Sequence, residues 1–252
     1  MSFERIFPDR IALVIPCYNE ERRLKSNVFM NELTNHSNLT FLFVDDGSKD
    51  NTSQVIHEIC VANPARALKL SLDQNKGKGE AVRLGMNYLL EKGAYDIIGF
   101  WDADLAVPLS EIDDFIEVIR LNPDVRAVIG SRVHLAGRLI ERVNFRHYLG
   151  RLFATLVCWT FGFTIYDTQC GAKLFDRKVL IPVVHEPFCS KWIFDVELII
   201  RLYKQSSFKG KNNWLYEIPV KEWRNVSGTK RSAFAYVNSL FDYIKLVKKY
   251  LP

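Results

Sequence analysis

Along the first half of the chain, short solid runs of apolar residues alternate with longer segments whose apolar residues recur every three or four positions. The runs are residues 11–16 (IALVIP), 40–45 (TFLFVD), 67–72, 95–101 (YDIIGFW) and 127–131. Between them lie 20–35, with Leu24, Val28 and Leu33, and 52–60, with Val55, Ile56 and Ile59. Next come 78–91, striped by Ala81, Val82, Leu84, Gly85, Tyr88 and Leu89, and 109–121, with Ile112, Phe115, Ile116 and Ile119. A strand that is apolar throughout must be covered on both faces, and βαβ units supply that cover. The expected fold is therefore α/β, a mostly parallel sheet flanked by helices. In such sheets ligands bind beyond the carboxyl ends of the strands, so the polar residues after each run are where chemistry is sought.

The second half is less regular. Residues 143–163 read as a long helix, 176–184 as a capped short helix, 194–203 as another helix and 214–220 as a strand. Residues 233–251 form an amphipathic pattern, with Phe234, Val237, Phe241, Ile244 and Val247 on one side and Lys245, Lys248 and Lys249 at the far end. Docking onto the sheet and contact with a membrane surface both account for that pattern. With no internal repeat or linker, one compact unit spanning 1–252 is expected. At 252 residues and 48% hydrophobic composition, the chain can bury a core without disulfide staples. Its five cysteines, odd in number and without a CxxC pair, read as reduced thiols of a cytoplasmic protein. The N-terminal residues are too polar for a signal peptide. The longest apolar stretch, 152–165, is 14 residues, short of the roughly 20 that span a bilayer. No transmembrane segment is expected, which leaves peripheral contact at the inner face of a membrane. The net charge of +5 is mild, and no aromatic-basic stripe accompanies it, which argues against nucleic acid as a partner.

Four strand ends carry chemistry. The first run leads into Pro16-Cys17-Tyr18-Asn19-Glu20 and the second into Asp45-Asp46-Gly47-Ser48. Asp46 is placed to accept from an N–H of a base, with Tyr18 packed beside that base; a turn and helix N-cap explain the same residues. The segment from Asn75 to Glu80 lacks P-loop spacing, yet its glycines and lysines, Lys78 among them, precede a helix whose N-terminus suits a phosphate. After the fourth run comes Trp101-Asp102-Ala103-Asp104. Two carboxylates at i and i+2 past a buried strand repel each other unless a cation lies between them. Mg²⁺ or Mn²⁺, bridging Asp102 and Asp104 to a diphosphate, resolves that repulsion.

Taken together, IALVIPCYNE, VDDGSKDNT, GKGEAVRLGM and FWDADLAVP resemble the nucleotide-binding half of family 2 glycosyltransferases, which have the GT-A fold. GSRVHLAG at 130–137, DTQCGAKLF at 167–175 and KWIFDVELI at 191–199 resemble the dolichyl-phosphate β-glucosyltransferases and, more loosely, the dolichyl-phosphate mannose synthases. The resemblance covers roughly residues 8–231. It implies a nucleotide-sugar-binding half, 8–132, and an acceptor half, 133–252. It further implies that Pro16, Tyr18, Glu20, Val44 and Asp46 cradle base and ribose, and that Asp102, Ala103 and Asp104 hold diphosphate and metal. Arg132 and Arg146 match the pair that engages the phosphate of a polyprenyl phosphate acceptor. Arg224 and Lys230 match a basic loop closing over the donor diphosphate. Two departures stand out: the glutamine that follows DADL in mannose synthases is Ala106 here, and the membrane-spanning helix at the start of eukaryotic glucosyl enzymes is missing.

The implied activity is inverting, metal-dependent transfer of a hexose, with UDP-glucose the favoured donor, to a polyprenyl (dolichyl-like) phosphate. A phosphate nucleophile is already anionic and needs no strong base, whereas a hydroxyl of a glycan needs one. Asp195 is the candidate base, with an N-cap as its alternative role. GDP-mannose as donor, and a non-catalytic nucleotide-sugar binder, are the other readings. Glu197 is read as structural, Cys170 as a small buried residue, and His134 and His147 as bystanders.

Overall fold

The computed structural model describes residues 10–141, 144–190, 193–205, 207–208, 210, 213–226 and 233–251, with the backbone alone for 144–149 and 233–237. In chain order the first half comprises β1 (Ile11–Cys17), α1 (Ser26–Asn35), β2 (Leu39–Asp45), α2 (Thr52–Ala62), β3 (Ala67–Ser71), α3 (Lys78–Lys92), β4 (Ile97–Trp101), α4 (Ile112–Leu121) and β5 (Ala127–Ser131). The second half adds β6 (Leu139–Ile140), α5 (Asn144–Phe161), β7 (Ala172–Asp176), α6 (Arg177–Leu180), α7 (Phe194–Tyr203), β8 (Leu215–Pro219), β9 (Glu222–Trp223) and α8 (Ala233–Tyr250). Seven strands form one sheet in the order β3-β2-β1-β4-β7-β5-β8, and β6 pairs with β9 beside it. All pairings in the large sheet are parallel except those of β7, which runs antiparallel to both β4 and β5.

Strand alternation divides the core. Ile11, Leu13, Ile15, Phe41 and Phe43 face one side and pack with Phe29 and Leu33 of α1, Ile56 and Ile59 of α2 and Phe115 of α4. Ala12, Val14, Leu42, Val44, Ile98 and Phe100 face the other side, under α3 and α7. This two-sided burial explains why these strands read as unbroken apolar runs. A third cluster joins Val157 and Phe161 of α5, Val196, Ile199 and Ile200 of α7 and Leu246 of α8.

The expected mostly parallel sheet is present, with three differences of detail. α1 begins at Ser26 rather than near residue 20, because Glu20–Leu24 is a separate turn closed by Arg23 N and Leu24 N on the Glu20 carbonyl. β7 has no counterpart among the sequence-read strands; Lys173 at its centre interrupts the apolar run that would have marked it. α8 docks through part of its apolar side, Val247 packing inward, and exposes the rest. Asp242, Tyr243 and Leu246 point inward, Asp242 accepting from Ser190 Oγ at 2.9 Å and Tyr243 Oη lying 2.6 Å from Thr160 Oγ1 of α5. Those polar anchors set the rotation and leave Phe241 61% and Ile244 43% exposed. The side chains of Phe234 and Val237 lie outside the described residues. No described helix is long and apolar enough to cross a membrane.

Candidate functional site

The carboxyl ends of β1, β2 and β4 form one rim, with β1 between the other two. Asp46 and Asp102 follow β2 and β4, so their backbones lie about two strand spacings, roughly 10 Å, apart. Hydrogen bonds stitch the loops after β1 and β2 together. Ser48 Oγ accepts from Asn19 N at 3.1 Å, Asn19 Oδ1 accepts from Lys49 N at 2.9 Å, and Thr52 Oγ1 accepts from Glu20 N at 2.7 Å. Asn19 takes the left-handed conformation (φ 54°), which its short amide side chain tolerates. Tyr18 is exposed above this seam.

Asp46 is buried, and both its oxygens are engaged within the chain. It accepts from Lys76 N at 2.7 Å, Gly77 N at 2.9 Å and Asn75 Nδ2 at 3.1 Å. It thereby ties the loop before α3 to the rim. Gly47 (φ 68°) makes this approach possible, since a Cβ there would meet Asn75 N at 2.7 Å. Val44 lies wholly in the core beneath α3, and Pro16 is the penultimate residue of β1.

Asp102, Ala103 and Asp104 form a tight turn after β4. Asp104 Oδ1 accepts from Ala106 N at 3.1 Å, and Leu105 is held at φ 53°, a strained value for a residue with a Cβ. Trp101 Nε1 donates to the Val107 carbonyl at 2.8 Å and clamps the turn from below. Asp102 packs against Gly171, where any Cβ would strike its carboxylate, and donates its N–H to the Gly171 carbonyl. Burial and the neighbouring charge of Asp102 push the Asp104 carboxyl above the usual range. Glu20 responds to the same cluster: burial, with Asp104 and Asp102, raises it to about 7 against the opposing guanidinium of Arg23, which it binds through two contacts of 2.6 Å. Like charges gathered in this way fit a hard divalent ion that completes its shell with diphosphate and water. Among the described residues, no cluster of three or more candidate metal ligands occurs.

Lys78, the first residue of α3, reaches this turn. Its Nζ lies 2.5 Å from Asp102 Oδ1. Partial desolvation of this 41%-exposed side chain works against its charge, but Asp102 and then Asp195 outweigh that and raise its pKa. Gly79 lets α3 start close to α7, since a Cβ there would lie 2.8 Å from Phe194 Cβ.

The second half supplies the other wall. Arg132, just after β5, grips Asp167 through Nε at 2.6 Å and Nη2 at 2.8 Å, with its guanidinium 5.5 Å from the Trp223 ring centroid. Glu217 of β8 braces this pair by accepting from Tyr166 N at 2.7 Å and Asp167 N at 2.6 Å. Arg224 N donates to the Ala106 carbonyl at 2.9 Å, so this loop meets the aspartate turn, while the Arg224 side chain pairs with Glu222. A cavity of about 300 Å³ opens beside that junction, lined by Lys25, Glu32, Leu105, Leu109, Glu222 and Arg224 among others. Asp195 sits in the first turn of α7 rather than capping it; its Oδ1 lies 3.1 Å from Lys173 Nζ. Arg146 falls on α5, but its side chain lies outside the described residues, as does Lys230 altogether. Glu197 is structural, accepting from Cys189 N, Ser190 N and Arg201 Nη2, and Cys170 is buried.

The structure thus brings together Tyr18, Glu20, Lys78, Asp102 and Asp104 from the first half with Arg132, Asp195 and Arg224 from the second. Reading the sequence missed Asp167, Gly171, Lys173 and Glu217. The first three lie in the DTQCGAKLF segment, whose glycine and a lysine amid apolar neighbours were the available signal.

A rim of carboxylates at the ends of parallel strands, met by basic residues from an appended half, is the arrangement of a GT-A glycosyltransferase. The chain belongs to the glycosyl transferase family 2, whose model matches residues 12–182. It is 34% identical to the dolichyl-phosphate β-glucosyltransferase of Saccharomyces cerevisiae, over 97% of this chain and 73% of that protein. It is 32% identical to the Homo sapiens dolichyl-phosphate β-glucosyltransferase, over 89% of this chain and 70% of that protein. Among solved structures, glucosyl-3-phosphoglycerate synthase from Mycobacterium tuberculosis, in complex with Mn²⁺, UDP-glucose and phosphoglyceric acid, superposes with a TM-score of 0.67. That match has 18% identity and covers 96% of this chain and 79% of the synthase. The GT-A fold and a glycosyltransferase activity follow.

Proposed function

We propose that this glycosyltransferase moves a glucosyl residue from UDP-glucose to a dolichyl-like polyprenyl phosphate in a single inverting displacement. Residues 8–132 form the donor half and 133–252 the acceptor half. The observation that carries the reading is the meeting of Asp102, Asp104 and Lys78 with Arg132 at one rim, a carboxylate pair suited to a cation with an ammonium and a guanidinium beside it. The curated relatives named for this reaction, and the solved neighbour that holds Mn²⁺ and UDP-glucose, support it.

Asp102 and Asp104 hold Mg²⁺ or Mn²⁺, which, when bound, stabilises negative charge developing on the departing diphosphate. Tyr18, with Pro16 and Glu20 below it, offers a face for the base, and Asp46 keeps the loop of Lys76 and Gly77 against that side. Lys78 gives the diphosphate an ammonium at a helix N-terminus. Arg224 and Lys230 close over the donor. Arg132 is oriented by Asp167 and has one guanidinium nitrogen left for an acceptor phosphate; Arg146 supplies the second cation. An anionic phosphate attacks without a base, in keeping with an Asp195 that is already occupied by Lys173.

A membrane surface is the proposed peripheral partner. Leu152 and Trp159 project from α5, and Leu240, Phe241 and Ile244 from α8, all exposed, with Lys248 beside them. The test is transfer of radiolabelled glucose from UDP-glucose, with Mn²⁺, to a polyprenyl phosphate, followed by organic extraction. Label in the lipid phase is expected. Label that stays water-soluble with lipid and metal both present would overturn the acceptor assignment.

A further inference from the structure

Beneath the rim lies a buried ion pair, Lys173 with Asp195, that the reaction as described does not use. Lys173 stands at the centre of β7, opposite Phe100 of β4 and Ile129 of β5, and is fully buried. Its Nζ donates to the Cys170 carbonyl and to Asp195 Oδ1, the latter at 3.1 Å, and lies 5.1 Å from the Phe100 ring centroid. Lys78 Nζ approaches the same ring, 5.9 Å from its centroid and 5.9 Å from that of Phe194, the residue next to Asp195. Two ammonium groups thus share one aromatic ring. Lys78 contacts Asp102 directly, and the charge of Asp195 also acts on it. The order of charges from core to rim is Lys173, Asp195, Lys78, Asp102.

A buried ion pair is weak evidence of a stability role. Its desolvation cost offsets its attraction, and apolar replacements are often as stable, whereas loss of one partner strands a charge. A pair kept in the floor of a binding site, on the one antiparallel strand of the sheet, calls for another reason.

We propose that Lys173 is a positioning residue for donor binding: it fixes Asp195, and Asp195 and Asp102 then share Lys78, holding its ammonium at the rim where a nucleoside diphosphate arrives. This rests on the donor reading above. Without Lys173, the buried Asp195 carboxylate draws Lys78 inward, away from Asp102. The diphosphate then loses an ammonium, and the two rim aspartates lose their resident counter-charge.

The test is a double-mutant cycle read without turnover. Calorimetric binding of UDP in the presence of Mn²⁺ is expected to weaken about tenfold in Lys173→Met, within the range seen for coupled contacting pairs. It is expected to return to within about threefold of wild type in Lys173→Met/Asp195→Asn, where no charge is stranded. A merely structural ion pair would share that rescue, because removing both partners also removes the stranded charge, so the readout that separates the two roles is the reactivity of Lys78. A second readout needs no ligand: modification of Lys78 by an amine reagent, followed by mass spectrometry, slows in the single variant and recovers in the double. If Lys173→Met does not fold by circular dichroism, Lys173→Gln, which can still donate to the Cys170 carbonyl, takes its place. Wild-type UDP affinity and unchanged Lys78 reactivity in the single variant would overturn the proposal, as would a double variant no better than the single. A wild type that fails to bind UDP overturns the donor reading instead, and the Lys78 reactivities still decide the role of Lys173.

Discussion

The two halves of the molecule hold their functional side chains in different ways. Up to β5, the groups stand at the ends of parallel strands or, for Lys78, at the start of α3. Side chains accepting backbone N–H bonds across adjacent loops fix most of them, as Asn19, Ser48, Thr52 and Asp46 do. Beyond β5, the charged groups are fixed by one another. Arg132 is held by Asp167, thirty-five residues away, and Asp195 by Lys173, while Glu217 accepts from the Asp167 backbone N–H. A strand end is a position that a short stretch of chain creates for itself. A buried charge pair exists only when two distant segments are both in place.

If that contrast is sound, the largest loss comes from the rim itself. Asp104→Asn is expected to lower glucosyl transfer by roughly a thousandfold, the scale of removing a preorganised electrostatic group, with the far-ultraviolet circular dichroism unchanged; near-normal turnover would remove the aspartate pair from the chemistry. Gly171→Ala comes next. Its methyl group cannot coexist with the Asp102 carboxylate, so transfer and Mn²⁺-dependent UDP binding should both fall about a hundredfold, and the turn would have to be more yielding than a packed interior if they did not.

Asp167→Asn sharpens the comparison on the acceptor side. It leaves the Arg132 guanidinium without its anionic anchor, so KM for the polyprenyl phosphate should rise about tenfold while UDP affinity holds. Equal losses for donor and acceptor would mean that the two halves are not separable.

A smaller effect tests the electrostatics of the rim. Burial, with Asp104 and Asp102, raises Glu20 from 4.5 to about 7 in the folded protein. A raised carboxyl contributes stability below its unfolded value, and that contribution is lost as pH rises through the folded value. The melting temperature of the metal-free wild type, relative to Glu20→Gln, should therefore fall between about pH 4.5 and pH 7; parallel curves across that window would contradict the shift. Smallest is Trp159→Ser. Removing this 84%-exposed ring should weaken cosedimentation with anionic vesicles a few-fold, and unchanged sedimentation would place the membrane surface elsewhere.

Much of the first half was legible from the residues alone. IALVIP, TFLFVD and DIIGFW announce buried strands, and the carboxylates immediately after them lie at the rim because a parallel sheet puts all such ends on one edge. β7 was not legible, since a lysine inside a short apolar segment contradicts the pattern of a central strand until its partner is known. Which residues of α8 pack inward was not legible for a similar reason. Its hydrophobic residues cover more than one side, and Asp242 and Tyr243, bonded to Ser190 and Thr160, choose which side turns inward.

By itself the sequence determined the α/β alternation, the edge on which the aspartates gather and the family to which they belong, because each depends on periodicity and spacing within a few tens of residues. Only the tertiary structure decided that Asp46 is tied to the loop before α3, that Asp195 faces a buried ammonium, and that Arg132 is gripped by Asp167. Pairing of charges in a low-dielectric interior depends on angstroms between segments remote in the chain, and no local pattern encodes that distance.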